Sequence, residues 1–134
     1  MENLFVPYEL AVLAKEKGFN EATLACYELD GCFAFLPYND ENINLDTELF
    51  SAPIYQQLVD WFREEHNILV IVDAVAPRIN ELSGYYSSIE GLNKNNIHRA
   101  SPLSSQFVRS FNTASFKNYY EALTEAIKEA FKLI

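Results

Sequence analysis

Two histidines, one carboxylate inside an apolar stretch, and two cysteines astride a turn are the side chains here whose types suit chemistry. His66 closes "WFREEHN" beside Glu64 and Glu65, a set that invites acid–base or metal chemistry. Glu65 and His66 are adjacent, however, and on a helix they point about 100° apart. The i, i+4 histidine pair of a metalloprotease is absent. The position suits a donor meeting free carbonyls at a helix C-terminus. Asp73 lies in "ILVIVDAVA", where a carboxylate is costly unless paired or at an exposed end. It is either a perturbed group at a site, an outward-facing edge residue, or the partner of an arginine such as Arg78. His98 has no carboxylate near it in sequence. A small-ligand or enzymatic site would therefore gather Asp73, His98 and Tyr85 or Tyr86.

Named reactions find little support. The chain has neither phosphate-loop pattern nor the G-x-S-x-G elbow, and no catalytic residue is assigned. "NDENINLDTELFS" carries Asp40, Glu41, Asp46 and Glu48 but lacks the glycine and terminal glutamate of a calcium loop, so it reads as a solvated loop. Cys26 and Cys32 flank Asp30-Gly31, which reads as a two-residue type I′ turn. Leu29 then faces Cys32 and Cys26 faces Phe35, which puts the thiols on opposite faces of a ribbon. No disulfide is expected, and both cysteines read as small buried apolar groups. No metal or other cofactor is expected.

Charge divides the chain. Residues 1–90 carry a net −12 and residues 121–134 a net −1, whereas residues 91–120 carry +4, from Lys94, Arg99, Arg109 and Lys117 with no acid. The total of −9 argues against direct nucleic-acid binding, which requires a basic face. The basic segment, 91–112, reads either as a mobile loop against an acidic body or as a contact element for an anionic partner, including a second copy of the chain.

The elements that would position these residues follow from period and caps. Pro7 opens a helix through "YELAVLAKEKG", with Leu10, Leu13 and Ala14 inward, Gly18 as its left-handed stop and Phe19 folding back. "ATLACYEL" and "CFAFLPY" form a hairpin that is apolar on both faces, as expected of a ribbon covered twice. Ser51 caps a helix whose stripe is Ile54, Leu58, Trp61 and Phe62, and Asn67 ends it. "ILVIVDAVA" is the most apolar strand and is placed centrally. "GYYSSIEG" is a short strand, "SQFVRSF" another. Thr113 or Ser115 starts the last helix, which buries Tyr119, Leu123, Ala126, Ile127, Ala130 and Ile134. The fold class is α+β: an antiparallel sheet of about four strands with three helices, in a single domain over residues 1–134. Its 49% hydrophobic content, with ten Phe and eight Tyr, suffices for a core. No run of eighteen apolar residues and no signal-like leader is seen, so a cytoplasmic protein without membrane contact is expected.

Three pieces, "VPYELAVLAKEKGFNE", "SAPIYQQLVDWFREEHNI" and "YYEALTEAIKEAFKLI", resemble small uncharacterised proteins of phages and mobile elements of Bacteroides-like bacteria. The resemblance spans about half the chain and implies an intracellular accessory protein. It carries no activity and no catalytic residue. The expectation is therefore a non-enzymatic protein that binds a protein partner or itself, with Lys94, His98, Arg99, Arg109 and Asp73 as candidate contacts. The alternatives are the small-ligand site around Asp73 and His98, and an acidic mimic of nucleic acid.

Overall fold

The computed structural model describes residues 2–36, 48–75, 84–91 and 107–134, the last of these as backbone only until residue 116. The chain divides into two compact units, Met1–Leu58 and Val59–Ile134, with the division inside a helix. The α+β class holds, but among the described residues the strands form two three-stranded antiparallel sheets, not one sheet of four.

In the first unit, α1 (Tyr8–Glu16) follows Pro7, whose carbonyl accepts from the Leu10 and Ala11 N–H groups. Its end is a Schellman closure. The Phe19 N–H reaches the Ala14 carbonyl at 2.9 Å, the Gly18 N–H reaches Lys15 at 3.1 Å, and Gly18 takes φ +92°. Phe19 is buried as the apolar lock. Strands β1 (Ala25–Glu28), β2 (Phe33–Phe35) and β3 (Leu49–Ser51) pair in the order β2-β1-β3. Two expectations fail here. Ser51 caps no helix but ends β3, which was hidden in the polar stretch read as loop, and α2 (Tyr55–His66) starts four residues later. The hairpin turn is also longer by one residue. Ladder partners are Tyr27 with Phe33 and Cys26 with Ala34. Glu28 therefore stands opposite Cys32, and the loop is Leu29-Asp30-Gly31. Only Gly31 has positive φ (+83°), as in a type I turn closed by a left-handed glycine. A type I′ turn would have demanded the same of Asp30.

The second unit holds β4 (Ile68–Val75), β5 (Gly84–Gly91), β6 (Phe107–Phe116) and α3 (Tyr119–Phe131), with sheet order β4-β5-β6. β5 has the bounds its glycines announce. β4 is at the edge among the described residues, not in the centre. Its apolar run reflects cover on its faces: α3 packs on one of them, where Ile68 and Val70 are buried, and Leu69 and Ile71 are half-buried on the other. Backbone position within a sheet is a separate matter. β6 runs through Thr113 and Ser115, and Asn118 is the true cap, its side chain accepting from the Tyr120 N–H at 2.9 Å. α3 consequently buries Ala122 and Phe131 where Tyr119 and Ile134 were expected. Asn67 ends α2 in the left-handed region, φ 55°, as expected. Among the described residues no helix is long and apolar enough to cross a membrane.

Candidate binding surface

Asp73 lies in the exposed part of β4, with Tyr86 of β5 as its ladder partner. The Tyr86 hydroxyl donates to Asp73 Oδ2 at 3.1 Å. That bond and the carboxylate's charge favour the protonated phenol, so the Tyr86 pKa is raised. Both side chains are exposed. This is the outward-facing edge reading of Asp73, its partner a tyrosine. Tyr85 turns to the other face and meets the Tyr119 ring edge-on at 5.8 Å. The Arg109 backbone pairs with Ile89, three rungs along β5 from Tyr86 and on the far side of β5 from β4. The ladder therefore does not bring Asp73 and Arg109 together. Lys94, His98 and Arg99 lie outside the described residues, as do Arg78, Asp40, Glu41 and Asp46. His66 packs among rings, 4.5 Å from the Trp61 centroid, and its Nε2 is buried with no hydrogen-bond partner among the described residues. No group of three or more His, Cys, Asp or Glu able to hold a metal occurs among the described residues.

The corrected hairpin register rearranges the thiols. Cys26 and Cys32 share a face, each opposite a different residue, and both are free. Cys26 is buried, and desolvation pushes its pKa up. Cys32 is exposed, against the expectation of burial. Its N–H donates to Asp30 Oδ1 at 2.9 Å and its thiol to Oδ2 at 3.2 Å. These bonds hold the Asp30 carboxyl below its ordinary range and raise the Cys32 thiol.

On the opposite face, Ala25, Tyr27, Phe33 and Phe35 stand together. Edge-to-face contacts run Phe35–Phe33–Tyr27–Tyr8–Phe50 with centroid steps of 5.1 to 5.6 Å, and Phe5 bridges Phe33 and Phe35. Tyr8 and Tyr27 anchor the row, donating to the carbonyls of Leu29 and Val6. Of these rings only Phe5 is buried; the row opens to solvent toward Phe35, which is 55% exposed. Leu24, 48% exposed, and Leu29, 61% exposed, lie on the same hairpin.

Electrostatically this unit stands apart. Met1–Leu58 has ten Asp and Glu against Lys15 and Lys17, a net −8, and between residues 18 and 62 every Asp, Glu, Lys and Arg is acidic. No family model, curated protein or solved structure matches this chain. The candidate surface thus rests on its own geometry. The exposed Leu29 and Phe35 were not singled out by the sequence reading, although the two-sided apolar pattern of the hairpin was the signal for them.

Proposed function

We propose that this is a protein-binding module, without catalytic activity of its own, whose contact surface is the β1–β2 hairpin. The observation that carries this reading is the exposure of Leu24, Leu29 and Phe35 on one short ribbon. Leu24 stands on the Cys26 face and Phe35 on the aromatic face, so the ribbon leaves large apolar side chains in water on both sides, and exposed apolar surface of this kind marks a contact site. The rigid aromatic row behind Phe35 holds it in place at little entropic cost on binding, as a contact anchor requires. Resemblance of the three quoted segments to small phage and mobile-element proteins supplies a context, an accessory role inside a bacterial host. The basic residues Lys94, Arg99 and Arg109 form a second contact element in this reading.

The test is capture of partners by the tagged full chain from a lysate of a Bacteroides-like bacterium, with mass spectrometry of what is retained. Leu24→Ser, Leu29→Ser and Phe35→Ser combined should remove the specific partner, with an unchanged circular-dichroism spectrum. A Lys94/Arg99/Arg109→Glu variant should lose whatever the basic segment holds. An identical captured set for wild type and hairpin variant overturns the hairpin as the contact surface.

A further inference from the structure

The two borders of the β2-β1-β3 sheet are finished differently. On the β3 side, Lys15 Nζ donates to the Leu49 carbonyl at 2.7 Å. The same side continues into the Phe5–Ile54 bridge and the Val6 N–H to Pro53 carbonyl bond at 3.0 Å. A lysine placed on an edge is one of the ordinary ways to close it. β2 has no such guard among the described residues.

Its backbone directions follow from the ladder. The Leu36 N–H donates to the Leu24 carbonyl at 2.9 Å, and the Glu28 N–H to the Cys32 carbonyl at 3.0 Å. Antiparallel pairs alternate between bonded and non-bonded. Cys32, Ala34 and Leu36 therefore turn their backbone groups toward β1, and Phe33 and Phe35 turn theirs away. No described residue pairs with those outward groups. An unpaired edge carrying an exposed aromatic is a template for an added strand.

Charge decides what the added strand is. Glu28 and Asp30 are exposed on the hairpin, and the unit that carries it has a net −8, its lysines being Lys15, on the β3 side of the sheet, and Lys17. An anionic segment would be repelled. A cationic one would be steered in and held at its rim. From these observations we infer that the hairpin takes an extended, positively charged segment of another protein as a fourth strand on β2, its alternate apolar side chains lying beside Phe33 and Phe35. The inference rests on the binding reading above and names the partner's chemistry.

The probes are two blocked octapeptides, alternating Lys-Val and alternating Glu-Val, labelled and titrated with the full chain by fluorescence anisotropy. The Lys-Val peptide should bind at least about tenfold more tightly than Glu-Val, and its affinity should fall with added salt. Phe35→Pro removes an outward N–H and leaves the β1 ladder bonded, so it should weaken Lys-Val binding about tenfold. Phe35→Ala keeps that N–H and should lose less. Equal affinity for both peptides, binding of neither at millimolar concentration, or equal loss in the Pro and Ala variants overturns the added strand. Failure here, with partner capture still lost in the hairpin variant above, removes the strand and leaves the binding surface. Capture that survives the hairpin variant removes the surface itself.

Discussion

Two aromatic clusters, one in each unit, end in opposite ways. In Val59–Ile134, Phe62 and Phe131 meet at 4.9 Å with both rings buried, and Trp61 closes over them. In Met1–Leu58, a longer row of rings runs outward and ends at a half-exposed Phe35. Net charge separates them as well, −8 against −1. Rings closed inward serve stability, because each is removed from water on all sides. Rings that stop at the surface leave part of that gain unrealised until something covers them. The difference teaches where stability and contact reside: the Phe62–Phe131 cluster is closed off from water, and the hairpin row retains apolar surface to offer.

Substitutions can break that contrast. The largest effect is expected at Phe62, where Phe62→Ala should cost about 3–5 kcal/mol in urea unfolding followed by Trp61 fluorescence. Phe35→Ala should cost less than about 1 kcal/mol, because most of its ring is already in water. Equal costs would make Phe35 a core residue and erase the distinction. Next is the cap of α3. Asn118→Ala leaves the Tyr120 N–H without its acceptor and should cost about 1 kcal/mol in the same measurement. A loss below the error of the method would mean that water replaces the cap.

The smallest effect concerns the two thiols. Cys32 should react with an alkylating reagent in the native protein, and Cys26 only on unfolding. The Asp30 carboxylate raises the Cys32 thiol, so less thiolate is present at any pH below that raised value. Asp30→Asn removes the charge and lowers the thiol's pKa, so alkylation at pH 8 should become faster. An unchanged rate would show that the thiol does not depend on Asp30 in solution. Faster modification of Cys26 than Cys32 would overturn the burial of Cys26 and the exposure of Cys32.

Much of the fold was legible where a local rule had one solution. Gly18 and Phe19 spelled out a helix end, and Gly84 and Gly91 bracketed β5. The misreadings occurred where two rules competed for the same residues. Asp30-Gly31 fits a two-residue turn by composition, yet the left-handed requirement falls on Gly31 alone, and one extra loop residue changes which side chains share a face. Thr113 and Ser115 look like caps, but pairing with β5 holds the chain extended as far as Phe116. Leu49–Ser51 is too short to show a period and exists because β1 offers it a partner. The candidate surface was half legible. Apolar pattern announced the two-faced hairpin, whereas exposure of Leu29 and Phe35 depends on which neighbours fold over them.

Gly18 sits at φ +92°, and among the described residues nothing beyond its own chain neighbours comes within 4 Å of the point where an L side chain would begin. Room is therefore no obstacle there; handedness is. L-alanine would be strained in open space, whereas the same backbone angle is ordinary for D-alanine. A semisynthetic chain with D-alanine at position 18 would keep the helix closure and trade the glycine's freedom in the unfolded state for a fixed bend. The limit on this position is set by the chirality of the ribosome's alphabet, and chemistry outside that alphabet can lift it.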